Sequence, residues 1–171
     1  MRDEKDALLT VANLMCVAAR TAPKARGIDN IVTKIISEKE KSRLIQRMKR
    51  VGIKENKLSF IRDAKNLKSA SYVVIIGTKI KSIGLTHCSF CGFEGCERAT
   101  IHKAICAYNT LDLGIAVGSA VSVAIDNRVD NRVMYSVGIN AIELGILSKE
   151  VRVALGIPLS ASGKNPFFDR G

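Results

Sequence analysis

Tyr72-Val-Val-Ile-Ile-Gly-Thr78 sets the architecture of this chain. The run from Val73 to Ile76 is β-branched throughout, with no polar residue in alternation, so it reads as a strand buried on both faces. Such a strand needs a helical layer on each side, and the flanking sequence supplies candidates. Upstream, Leu8, Val11, Ala12, Met15, Ala18, Ala19 and Ala22 recur at helical spacing until Pro23, which predicts a helix over 4–21. Ile31, Val32, Ile35 and Ile36 predict a short strand, and Ser37 with Glu40 forms a capping box for a helix that reaches Arg50 and is closed by Gly52. Phe60, Ile61, Ala64 and Leu67 predict the next helix. Downstream, Leu113, Ala116, Val117, Ala120, Val121 and Ala124 predict a buried helix. There Asp112 suits the first turn, and Gly114 and Gly118 allow another backbone to approach. Asp130 is expected to cap a further helix through Val133, Val137, Ala141 and Leu144, ended by Gly145. The stretch from Leu155 to Arg170 is too irregular for a helix and predicts a tail, either on the surface or folded over a neighbouring subunit or a ligand. Helix pairs over a small sheet make the fold α+β or α/β.

The strand delivers the chain to THCSFCGFEGCERATIHKAIC, residues 86–106. Four of the five cysteines fall there, Cys88, Cys91 and Cys96 as C-x2-C-x4-C and Cys106 ten residues on, while Gly92 and Gly95 permit the turn that gathers them. Thiolates that close repel one another unless a cation or an iron cluster holds them, and soft sulfur donors select zinc or iron–sulfur chemistry over magnesium or calcium. Structural zinc usually takes two C-x2-C knuckles and only one is present, whereas the run matches neither standard ferredoxin spacing. The expectation is a [4Fe-4S] cluster, with zinc, disulfides or unligated core thiols left open. Phe90 and Phe93 lie between the ligands and would help to dry them. His87 and His102 read as surface residues, although either has the chemistry to replace a thiolate. Cys16, alone among apolar neighbours in the first helix, reads as packing.

A chain of 171 residues with 47% hydrophobic content suits one compact domain, 1–171, with a core of its own. Clustered thiols point to a reducing compartment, the cytoplasm by default. Arg2 to Asp6 is not the positive region that opens a signal peptide, and the uncharged run Leu113 to Ile125 is too short to span a bilayer, so no membrane segment is expected. The net charge of +11 is uneven, since residues 1–80 carry 18 Lys and Arg against 8 Asp and Glu, and the remainder 9 against 8. Any electrostatic partner would therefore be drawn to the N-terminal half, the alternative being that its charges form a solvated helix face. The outer stripe Lys39, Arg43, Arg47 and Arg50 holds no aromatic residue, so nucleic-acid binding beyond weak, salt-sensitive contact is not expected. No Ser-His-Asp set, P-loop or catalytic carboxylate pair marks a hydrolase or kinase.

Five stretches, CSFCGFEGC (88–96), NTLDLGIAVGSA (109–120), DNRVMYSVG (130–138), ELGIL (143–147) and GIPLSASGKNPFFDR (156–170), together resemble a family of prokaryotic proteins described as containing a ferredoxin domain. The resemblance implies a four-cysteine iron–sulfur site at Cys88, Cys91, Cys96 and Cys106. A second resemblance, to flavin-dependent nitroreductases, is carried by Ala22 to Ala25 with Asn30, by Asp112 to Ala116 and by Ala141 to Ile146. It implies a nitroreductase-like α+β three-layer sandwich and, since flavins of that family lie between subunits, a homodimer holding FMN near the subunit boundary. The family's basic Arg-Arg-Ser run is missing. The FMN phosphate would then be met by Arg20, Lys24 and Arg26 at the Pro23 corner, or by Lys164 and Arg170 in the tail, with Asn30 bonded to the ring. The expected function is iron–sulfur electron transfer with a redox partner protein, or a small flavin-linked oxidoreductase. The rival is a zinc-stabilised binding module that contacts nucleic acid or an acidic partner.

Overall fold

The computed structural model describes residues 2–168. Its helices are α1 (Arg2–Thr21), α2 (Glu38–Lys54), α3 (Leu58–Ser69), α4 (Gly95–Ile101), α5 (Ala107–Asp126) and α6 (Tyr135–Glu143). Its strands are β1 (Ile31–Ile35), β2 (Tyr72–Lys79), β3 (Asp130–Asn131) and β4 (Val151–Ser160), in one antiparallel sheet of order β1-β2-β4-β3. The central strand β2 behaves as its composition implies. Val74 and Ile76 join Ile31, Ile157 and Leu159 under α1 and α5, whereas Val73 and Ile75 join Val151, Ala154 and Phe167 under α2, α3 and α6. Each fully buried Val, Ile, Leu or Phe among them contributes about 1.5–3 kcal/mol, so the two faces of β2 anchor both cores. The result is the α+β three-layer sandwich.

Local signals explain the element ends. Ser37 caps α2 in a full capping box with Glu40. Gly52 does not end that helix; it lies within α2, where a Cβ would stand 2.7 Å from Ile61 Cγ1, so it lets α3 pack closely. Asp112 is not a first-turn residue either. The helix begins at Ala107, and the buried Asp112 carboxylate accepts from the Ala25 N–H at 3.1 and 3.3 Å, tying the Pro23 corner to α5. Asp130 caps nothing, being the first residue of β3; α6 starts five residues later, and Val133 is exposed.

The largest departure is β4. Most of Leu155 to Ser160, read as the start of a tail, is buried in a strand between β2 and β3. Residues 161–168 follow the strand as a tail that folds back so that Phe167 is fully buried, with Asn66 Nδ2 and Arg132 Nη1 donating to its carbonyl at 3.4 and 2.8 Å. Close backbone approach also occurs elsewhere than expected. Gly114 and Gly118 face open space, whereas a Cβ on Gly138 would lie 1.7 Å from Ala154 O and one on Gly156 would lie 2.1 Å from Val137 Cγ1, so these two glycines seat α6 on β4.

Among the described residues α5 is the one helix long and apolar enough, by length and composition, to cross a membrane. Here Leu113, Ala116, Val117, Ala120 and Ala124 face the core it shares with α1 and the sheet.

Candidate metal centre

Ile31 pairs with Thr78 and Val151 with Lys79, so the Pro23 corner, the exit of β2 and the entry of β4 meet at one end of the sheet. From that end the chain runs through residues 80–94 without helix or strand, then enters α4 and turns into α5. Gly84, Gly92 and Gly95 have φ of 76°, 82° and 78°, the left-handed region that glycine occupies without strain. The segment is tied down at few points. Arg26 Nη1 donates to the carbonyls of Ile83 and Gly84 at 3.2 and 3.1 Å, Lys81 N–H donates to Asn109 Oδ1 at 2.9 Å, and the Ser82 and Thr100 hydroxyls bond at 2.9 Å.

Cys88, Cys91, Cys96 and Cys106 line one narrow cavity of about 10 Å³, walled by Ile83, Leu85, Phe90 and Tyr108. Cys106 is buried at the N-cap of the 20-residue α5. The Cys96 thiol donates to Leu85 O at 3.8 Å. Phe90 stacks on Tyr108 with centroids 5.7 Å apart and stands at the cavity's exposed side. Phe93 is not a wall residue; it stacks on His102 at 5.3 Å. Both histidines are exposed. All five cysteines are free, and no three His, Cys, Asp or Glu side chains among the described residues are gathered closely enough to hold an ion. The donors are of the right kind around one apolar point, and residues 80–94 have no ladder or helix bonds to break in re-aiming Cys88 and Cys91. Cys16 packs half-buried against the α1–α5 core, where burial pushes its thiol up against the smaller opposing effects of Thr33 and Arg20.

The residues named for a flavin phosphate are differently placed. Arg20 Nη1 donates to Asp29 Oδ2 at 2.5 Å and Ile31 O at 2.7 Å, and Lys24 Nζ caps α1 through the carbonyls of Ala19, Arg20 and Ala22 at 3.2, 2.6 and 2.8 Å. Arg26 holds the cysteine segment through Ile83 and Gly84. Asn30 is buried, and its Nδ2 has no acceptor among the described residues, a state shared by Asn109 Nδ2. Lys164 lies beyond Ser160, which pairs with Asp130 at the opposite end of the sheet, so the corner and the tail are not brought together. Arg170 is outside the described residues. In the α2 stripe, Arg47 pairs with Glu143, while Arg43 and Arg50 line a shallow groove without an aromatic wall.

One cationic group was not visible in the sequence. Lys81, Lys103, Lys149 and Arg152 line a cleft beside the cysteine segment. Their half of the chain is nearly neutral, and that average concealed them.

The family model described as "Uncharacterized protein containing a ferredoxin domain" matches residues 102–170, which include Cys106 but not the other three clustered cysteines. An uncharacterized protein of Archaeoglobus fulgidus is 36% identical over 170 residues, covering 93% of this chain and 89% of its own length. Among solved structures, the hypothetical oxidoreductase YcnD from Bacillus subtilis superposes with a TM-score of 0.59 at 14% identity, over 91% of this chain and 58% of that one. A nitroreductase with bound FMN from Bacteroides fragilis gives 0.60 at 11% identity, over 91% and 79%. The fold is nitroreductase-like, and the chain spans about three-fifths of the length of several of the nitroreductase-like structures it matches.

Proposed function

This chain belongs to the family of proteins described as containing a ferredoxin domain, and we propose from that membership that it is an iron–sulfur redox protein whose electrons pass through the cysteine segment. The observation that carries the reading is the shared cavity of Cys88, Cys91, Cys96 and Cys106. When bound there, a [4Fe-4S] cluster supplies a one-electron couple. The chain's part is to hold it and set its surroundings. The four thiolates would be the ligands, Cys106 from the N-cap of α5, and Ile83, Leu85 and Tyr108 would keep water from the sulfurs. Phe90 stands on the exposed side, where a redox partner would approach. Five free thiols agree with a reducing compartment, read as the cytoplasm.

Arg20, Lys24 and Arg26 all donate to the chain itself, so they do not present a phosphate site. Homodimer formation is assigned to the outer face of α1 and α5, where Leu14, Val17, Leu111, Ile115 and Ile125 are exposed beside the open Gly114 and Gly118. Light scattering tests this, with a dimer expected for the native chain and a monomer for Ile115→Arg; a native monomer overturns it.

The test of the main reading is the visible absorption of protein purified without air. Brown protein with broad sulfur-to-iron absorption is expected, bleached in each of Cys88→Ser, Cys91→Ser, Cys96→Ser and Cys106→Ser. Colourless protein with stoichiometric zinc would replace it with the structural-zinc reading.

A further inference from the structure

Beside the cysteine segment lies a cleft of about 570 Å³, within the range of small-molecule sites. Three parts of the chain place cations on it: Lys81 after β2, Lys103 after α4, and Lys149 with Arg152 around the start of β4. Elsewhere many basic side chains are matched, as Lys34 is by Glu40, Arg47 by Glu143 and Arg62 by Asp63. Here the one carboxylate, Glu150, is shared between Lys79 at 2.7 Å and Lys81 at 4.0 Å. Lys103, Lys149 and Arg152 take part in no ion pair among the described residues. Like charges around one concavity repel, and the repulsion is relieved when an anion enters.

The wall identifies the class of anion. Ser82 and Thr100 present hydroxyls joined to each other at 2.9 Å, and the apolar lining is limited to Ile80 and Ala104. With no aromatic face, the cleft has nothing on which to stack a planar ring; what it recognises is charge and oxygen. Ammonium and guanidinium donors converging on a pocket match phosphate oxygens. Three uncommitted cations suit more than one phosphoryl group. We propose that this cleft binds a phosphate-bearing small molecule of the diphosphate class. Its position gives the site a consequence, because the Thr100 hydroxyl, accepting from Ser82, donates its proton to Cys96 O at 2.8 Å. An occupant that draws on Thr100 therefore acts within one turn of α4 on a clustered cysteine.

The site does not depend on a metal at the cysteines. Isothermal titration of the whole protein with inorganic pyrophosphate at physiological salt tests it. Saturable binding is expected, about tenfold or more weaker in Lys149→Ala/Arg152→Ala and unchanged in Arg43→Ala/Arg50→Ala, which removes as much charge from the α2 groove. The Cys88→Ser variant should bind equally well, which separates this site from the iron–sulfur reading. No heat up to millimolar pyrophosphate, equal weakening in both double variants, or tighter binding of a polyglutamate peptide than of pyrophosphate would overturn the proposal. Circular dichroism of the surface variants confirms that they fold.

Discussion

The sandwich and the cysteine segment at its end are built by different means. In the sandwich, β2 is buried on both faces, and α6 sits so close on β4 that glycine alone fits at positions 138 and 156. Between Lys79 and Gly95 no helix or strand forms, and the backbone is held by a few side-chain bonds and three left-handed glycines. Apolar burial stabilises the first without any ligand. The second has four thiols around a narrow cavity and little else to fix them. The fold is therefore expected to survive damage to the segment, and the segment's chemistry to fail on damage that leaves the fold intact.

The largest expected effect breaks the sandwich. Gly138→Val places a side chain onto Ala154 O and should destabilise by about 3 kcal/mol or more, seen as a lower denaturation midpoint or insoluble protein. Cys96→Ser should change the metal-free stability by less than about 1 kcal/mol, since among the described residues the thiol bonds only Leu85 O, at 3.8 Å, while abolishing the visible absorption. A loss as large as that of Gly138→Val would erase the distinction between the regions. Asp112→Ala removes a buried link between α5 and the Pro23 corner, whose Arg26 holds the segment, and should cost about 2 kcal/mol. Its mark is amide exchange: protection should fall at Ala25 and across 80–94 more than in β2. Ser37→Ala, which removes the α2 cap, should cost about 1 kcal/mol by denaturation and leave exchange in the segment unchanged.

The smallest effect is a pH dependence of the sandwich. Burial pushes the Glu40 carboxyl up, but hydrogen bonds from Lys34 and from the Ser37 N–H and hydroxyl outweigh it and hold the group below its ordinary value. A lowered folded value means that the contribution is complete above the unfolded carboxylate range, near pH 4.3, and is lost as pH falls through the folded value. With both partners partly exposed it amounts to about 0.5 kcal/mol. Denaturation midpoints between pH 5 and pH 2 should fall less in Glu40→Gln than in the native chain.

Much of the sandwich was legible because burial leaves a period in the sequence. The apolar stripes of α1, α2, α3 and α5 and the continuous run of β2 all appear where read. β4 was hidden by its Gly156 and Pro158, which read as turn residues. Gly156 is there for Val137, against which a Cβ would clash. Gly156 N–H donates to Met134 O, and Pro158, two residues on, faces the same side, between the Met134 bridge and Asn131 at the end of β3, where no ladder pair forms. Asp112 misled for a related reason, since its partner is a backbone N–H 87 residues away. The cysteine spacing disclosed the shared cavity, whereas the phosphate cleft draws its cations from three distant stretches that only the fold unites.

Whether the four thiols hold iron and sulfide decides the chemistry of the cysteine segment. Protein purified without air, in native form and as Cys96→Ser and Cys16→Ser, is assayed for iron, acid-labile sulfide and zinc per chain. Iron and sulfide in equal amounts are expected in the native chain and in Cys16→Ser, with both lost in Cys96→Ser while its circular dichroism stays native. Zinc without sulfide in the native chain, or iron and sulfide undiminished in Cys96→Ser, would contradict the iron–sulfur reading.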